Sequence, residues 1–212
     1  MVIRMKRIQG RYENTIVIQK SKFIAEAYRV NTVEEIEEIL SQVRKKYYDA
    51  THHCYAYRLN DDASIQKMSD DGEPAKTAGA PMLDVLVKQG ITNILVVVTR
   101  YFGGTLLGAG GLVRAYSSAT SEVLKLAKFY EIENQMRFRL SLSYSSYQTL
   151  LKMMPYIQIE KASFMSDVTL EAHCKVDLYE KISKDAYTYK MKDISLQEIG
   201  VFPIEILIDT LV

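Results

Sequence analysis

Apolar residues recur along the chain in two periods, and the order in which these alternate predicts a mixed α+β protein. Between residues 13 and 30, Thr15, Val17 and Gln19 alternate with Ile16, Ile18 and Lys20, and Phe23, Ala25 and Ala27 continue the period of two. That is the pattern of half-buried strands, here two, joined at Lys20–Ser21–Lys22. Val33, Ile36, Ile39, Leu40 and Val43 then fall at helical spacing. Asn31 or Thr32 supplies the N-cap, Glu34 and Glu35 the first turn, and Arg44, Lys45 and Lys46 the last, each charge complementing the helix dipole. His52–Leu59 reads as a strand, Ser64–Ser69 as a second, and Asp70–Pro74 as a turn. A short helix opens at Pro81, presents Leu83, Leu86 and Val87, and closes at Gly90. The Val-rich run Asn93–Tyr101 predicts a strand covered on both faces. A long helix follows from Gly111 to Lys128, with Leu112, Ala115, Tyr116, Ala119, Val123 and Leu126 as its stripe.

After that helix the pattern restarts. Met136–Tyr144 alternates as a strand, and Ser145 or Ser146 caps a short helix through Met154, stopped by Pro155. Tyr156–Ser163 and Asp167–Val176 read as paired strands, Leu178–Met191 as a helix, and Ile194–Leu211 as a last strand containing Pro203. The order β-α-β-β-α-β is the split βαβ, or ferredoxin-like, motif. Two domains are therefore expected, residues 1–133 and 134–212.

Charge sharpens this division. Lys and Arg number 27 against 26 Asp and Glu over 212 residues, too balanced for a dedicated nucleic-acid binder. Residues 1–132 hold 18 basic and 15 acidic residues, net +3, and the remainder 9 and 11, net −2. Only the first half is expected to draw phosphate. Cys54 and Cys174 make neither a disulfide framework nor a four-cysteine zinc site. No signal peptide or membrane span is read, so the expected compartment is the cytoplasm.

The densest chemical feature is Arg100–Tyr116, where five glycines fall within nine residues, between a buried strand and a helix. Gly103, Gly104, Gly108, Gly110 and Gly111 allow close approach to backbone amides at a helix N-terminus, a site suited to an anion. Arg100 and Arg114 flank it and offer bidentate contacts, with Tyr101 beside them. The spacing matches neither a P-loop nor G-x-G-x-x-G. Asp70, Asp71 and Glu73 cluster in one turn, but their spacing is not that of an EF-hand and reads as a solvated acidic turn. His52 and Cys54 share one strand face, where a nucleophile pair is conceivable, although no orienting third group is evident. No catalytic set, metal site or cofactor is expected. Of the 15 tyrosines, six lie between residues 47 and 116, where stacking on bases competes with ordinary packing.

The blocks A-T-H-x-C-x-A-Y at 50–57, S-D-D-G-E-P-x-x-T-A-G-x-P-M-L at 69–83 and V-T-R-Y-F-G-G-x-x-L-G-x-G-G-L-V-R-A-Y at 98–116 resemble the signature of the YigZ/IMPACT family. The resemblance implies a first domain similar to domain two of small-subunit ribosomal protein S five and to elongation factor G domain IV, with a left-handed βαβ unit. It implies a ferredoxin-like second domain similar to the carboxyl-terminal domain of that factor. Eukaryotic relatives are regulators of translation that bind the activator of the amino-acid-starvation kinase through a module outside this domain. Family members often carry Gly where this chain has Lys76.

Together these features point to a translation-associated binding protein. Its expected partner is RNA, the ribosome or a translation-regulatory protein, met through the glycine-rich loop with His52, Asp70, Asp71 and Glu73 nearby. The alternatives are an enzyme acting on a small phosphorylated ligand and a protein-interaction module.

Overall fold

The computed structural model describes residues 5–191 and 193–208. It forms two compact units, Met1–Glu131 with Leu207–Val212, and Ile132–Ile206. Met1–Arg4 and the predicted end of the last strand at Leu211 lie outside the described residues.

In the first unit, β1 (Lys6–Ile8), β2 (Arg11–Ile18) and β3 (Ser21–Arg29) precede α1 (Val33–Lys46); β4 (His52–Leu59) and β5 (Ile65–Ser69) precede α2 (Gly79–Lys88); β6 (Ile94–Tyr101) leads into α3 (Gly108–Lys125). The main sheet has the order β2-β3-β6-β4-β5. Every neighbouring pair in it is antiparallel, so β3 and β4 run parallel on either side of β6. Strand β1 pairs with Phe129–Glu131.

Strand alternation divides this unit into layers. Phe23, Ala25, Cys54, Ala56, Val96 and Val98 face α2 and α3, while Tyr57, Leu59, Leu95 and Val97 face α1. Helix α1 is capped as its sequence predicts, Thr32 Oγ1 accepting from Glu35 N at 3.2 Å. At the end of α2 the buried Arg58 donates to the carbonyl of Leu86, in the last turn at the negative end of the helix dipole, and to that of Ile91 just beyond the helix.

Several predicted boundaries move. The β2–β3 turn is Gln19–Lys20, not Lys20–Lys22, because both residues take positive φ, 45° and 66°. That two-residue geometry matches strand twist without a glycine to announce it. Helix α2 begins at Gly79 rather than Pro81 and buries Met82 and Leu86 while Val87 is exposed. Helix α3 begins one turn before Gly111 and ends at Lys125, with Leu124 rather than Leu126 buried. Packing of Leu112 and Ala115 overrides the poor helix propensity of the glycines.

The second unit contains β7 (Phe129–Leu142, begun in the first), α4 (Tyr144–Met153), β8 (Gln158–Phe164), β9 (Val168–Lys175), α5 (Val176–Thr188) and β10 (Ser195–Ile208). The strand order β10-β7-β9-β8 is that of the ferredoxin-like βαββαβ fold. Its core joins Phe138, Leu140, Leu170 and Ala172 to Leu150 of α4 and Ile182 of α5. Ser143, not Ser145 or Ser146, caps α4, accepting from Ser146 N. Helix α5 starts at Val176 instead of Leu178.

Candidate functional site

Register brings the site together. His52 on β4 lies opposite Arg100 on β6, and Arg100 lies opposite Phe23 on β3. The three share the face covered by α2 and α3, so the Arg100 guanidinium points inward. It stands 5.4 Å over the Phe23 ring, and Nη1 donates to Glu73 Oε1 at 2.6 Å. Both partners are buried. The same carboxylate oxygen accepts from the Tyr116 hydroxyl at 2.8 Å, and Arg100 Nη2 donates to Ser21 Oγ at 3.3 Å. Ser21 Oγ also accepts from Gly103 N at 3.1 Å.

The acidic turn has a structural assignment for each of its aspartates. Asp70 accepts from the backbone amides of Lys76, Ala78 and Gly79 at 2.8, 3.0 and 2.8 Å, closing the loop and capping α2. Burial opposes ionisation of Asp70, but those three amides outweigh it and hold the carboxyl below its ordinary range. Asp71 accepts from His53 N at 2.7 Å and from Arg44 at 3.2 Å. Its own carbonyl accepts from His52 Nδ1 at 2.8 Å. A carbonyl only accepts, so in the neutral ring Nδ1 carries the proton and Nε2 presents its lone pair. Nε2 lies 3.9 Å from Glu73 Oε1.

Cys54 sits beneath this cluster, Sγ 3.0 Å from the Asp70 carbonyl and 3.3 Å from the Tyr116 hydroxyl. Burial, together with the charges of Glu73, Asp71 and Asp70, pushes the thiol up to about 12. A thiol in that state is no nucleophile near neutral pH.

Above the cluster opens a cavity of about 470 Å³, with His52, Glu73 and Arg100 on its floor and Phe102, Leu106 and Gly108 on its wall. Helix α3 begins at this wall with no side-chain cap and no acidic residue in its first turn. Its first amides therefore have no partner within the helix. Residues from all three sequence blocks, around 52, 73 and 100–112, line this one cavity.

Residues 19–124 match the family model described as the Impact N-terminal domain. The chain belongs to the IMPACT family. It is 51% identical over 112 residues to IMPACT family member YvyE of Bacillus subtilis, covering 53% of this chain and 52% of that protein. It is 44% identical over 110 residues to IMPACT family member YigZ of Escherichia coli, covering 51% and 54%. The matched region thus spans about half the length of these relatives. A crystal structure of a hypothetical protein, 28% identical, covers 94% of this chain and 99% of its own with a TM-score of 0.59.

Within this IMPACT family chain, the expected site residues separate into two groups. His52, Glu73, Arg100 and Gly108 meet at the cavity. Tyr101 points away from it, its hydroxyl donating to Asp49 at 2.8 Å. Gly103 backs onto the β2–β3 turn, whereas Gly104 and Gly110 are exposed and Gly111 packs beside Leu107. Arg114 is on the exposed side of α3. Ser21 and Tyr116 were not among the candidates, although they complete the polar cluster. In the sequence Tyr116 reads as part of an apolar stripe and as one of six clustered tyrosines, and Ser21 is joined to the site by sheet pairing alone. Among the described residues, no three or more His, Cys, Asp and Glu converge as a metal-ligand group. No helix among them is long and apolar enough to cross a membrane.

Proposed function

We propose that this chain is a translation-regulatory binding protein whose glycine-rich end docks a translation factor or a ribosomal partner. The rim of the cavity carries the reading. Leu106 is 86% exposed and Phe102 48% exposed, beside an uncapped helix N-terminus and over a floor whose charges already pair with each other. Exposed apolar side chains grouped around a cavity favour docking of a partner surface. The free amides of α3 and the nearby Arg114 suit a carboxylate or phosphate on that partner. Arg100, committed to Glu73, supports the floor instead of reaching outward. The IMPACT family resemblance supplies the translational setting, and with such a partner the chain works in the cytoplasm.

Sedimentation with ribosomes and their associated factors tests this reading. The wild type is expected to co-sediment at low salt, and the Leu106→Asp/Arg114→Glu double variant to remain in the supernatant. A double variant that sediments like wild type removes the glycine-rich end from the interaction.

One observation favours a second reading, in which the cavity receives a small anionic substrate: His52 Nε2 faces the Glu73 carboxylate at 3.9 Å. Thermal stabilisation by a nucleotide or small phosphate ester, abolished in His52→Ala but kept in Leu106→Asp, would move the assignment to that chemistry.

A further inference from the structure

The opposite side of the same sheet carries a second concavity, independent of the glycine-rich end. A groove of about 580 Å³ runs between α1 and the β4–β5 hairpin. Arg44 and Lys45 enter it from the last turn of α1, where cations complement the helix dipole. Lys67 enters from β5, placed opposite Tyr57 by the β4–β5 register. Its wall is aromatic. The rings of Tyr55 and Tyr57 lie parallel, 6° between planes and 6.3 Å between centroids. Tyr48, also on the groove, is 84% exposed.

We propose that this groove binds a single-stranded nucleic-acid segment, its phosphates meeting Arg44, Lys45 and Lys67 and its bases stacking on Tyr48 and Tyr55. Interleaved cations and aromatic faces are what an unpaired strand requires, because its backbone is anionic and each base exposes a π-face. Charge within the groove agrees. Three cations line it against one acid, Glu37. Arg44 also reaches Asp71 at 3.2 Å, but that pair is exposed and worth little, so a phosphate can take Asp71's place. A duplex would hide its bases from Tyr48. An acidic peptide would satisfy the cations but leave the exposed ring without a stacking partner.

Fluorescence anisotropy with a labelled single-stranded oligouridylate, titrated with the full chain at low and moderate salt, tests the groove. Wild type binds with salt-dependent affinity. Replacing Lys45 and Lys67 together by Ala removes two contacts, and the slope of log affinity against log salt becomes shallower by about 1.4. Tyr48→Ala weakens binding about 10-fold at unchanged slope, and Tyr48→Phe restores it, since stacking needs the ring and not the hydroxyl. All three positions are on the surface, so these variants fold. The proposal is overturned if wild type ignores the oligonucleotide at low salt, or if the lysine pair leaves the slope unchanged. It is equally overturned if duplex RNA or polyglutamate binds as well as the single strand. Loss of oligonucleotide binding in Leu106→Asp/Arg114→Glu, with the groove variants intact, would assign nucleic acid to the glycine-rich end and end the groove proposal. Ribosome association lost in that double variant while its oligonucleotide binding persists leaves both readings standing as separate sites.

Discussion

Arg100 Nη1 lies 2.6 Å from Glu73 Oε1, and both side chains are buried beneath the glycine-rich segment. The pair ties the acidic turn to the end of β6, while Tyr116 donates to the same carboxylate oxygen and Ser21 accepts from the second guanidinium nitrogen. Removing one member of such a pair leaves a buried charge without compensation. Glu73→Ala is therefore expected to destabilise the first unit by about 3–5 kcal/mol. Tyr116→Phe, which removes one hydrogen bond to the same carboxylate, is expected to cost about 1–2 kcal/mol. Urea unfolding of the two variants measures the difference. Equal, small losses would mean that the pair does not organise the site.

Gly103 is fixed by space. A Cβ there would stand 2.1 Å from the Lys20 carbonyl carbon and 2.3 Å from Ser21 N, both backbone atoms that cannot rotate away. Gly104 has φ +79° and open space around it. Gly103→Ala must push the β2–β3 turn, with Ser21, away from the Gly103 backbone and is expected to cost about 3 kcal/mol. Gly104→Ala meets only backbone strain, about 1–2 kcal/mol. Denaturation midpoints rank the two, and the reverse order would place the close approach elsewhere.

Local signals in the chain were enough for most elements and for part of the site. Helix α1 announced itself through Thr32, its charged ends and its stripe, all of which act within one helix. The ferredoxin-like order of the second unit was legible because each element there alternates cleanly. The direction of Arg100 was not legible, because Ile94–Val98 is apolar on both faces and strand parity there does not distinguish one buried layer from the other. Non-local pairings were hidden. Nothing in the sequence joins Ser21 to Arg100 and Gly103, because that contact depends on β3 lying beside β6. Asp70 read as a solvated acid for the same reason, its amide partners appearing only once the loop folds back to Gly79.

Lys76 occupies a left-handed backbone position, φ +63°, while its amide donates to Asp70. That conformation favours Gly, because a side chain there crowds its own carbonyl. Lys76→Gly is expected to stabilise the chain by about 1 kcal/mol, the relief of strain being partly offset by a more flexible unfolded state. A raised urea midpoint at unchanged m-value supports this, and Lys76→Ala, which keeps the strain, serves as the control. A lowered midpoint for Lys76→Gly would show that the lysine side chain contributes more than its backbone strain costs.

The buried thiol of Cys54 makes stability fall on the alkaline side. Burial raises it from an ordinary value of 9.0 to about 12 in the folded chain. Between those values the unfolded chain gives up the proton while the folded chain keeps it. The unfolded state then binds fewer protons, and unfolding free energy declines as pH rises. The contribution is fully present below pH about 9 and lost progressively toward about 12. Burial raises Tyr116 in the same sense, and so does Cys54 beside it, so the thiol and the phenol lose their protons as a coupled pair. The slope of stability against pH in Cys54→Ala reports the loss of the thiol and of that coupling together. It is expected to be shallower than wild type across that window and parallel to it below, and iodoacetamide is expected to modify Cys54 only as fast as the first unit opens. Rapid alkylation of the native chain near neutral pH would show an accessible thiolate, and would reopen the cluster of Cys54, His52 and Glu73 as a nucleophilic site.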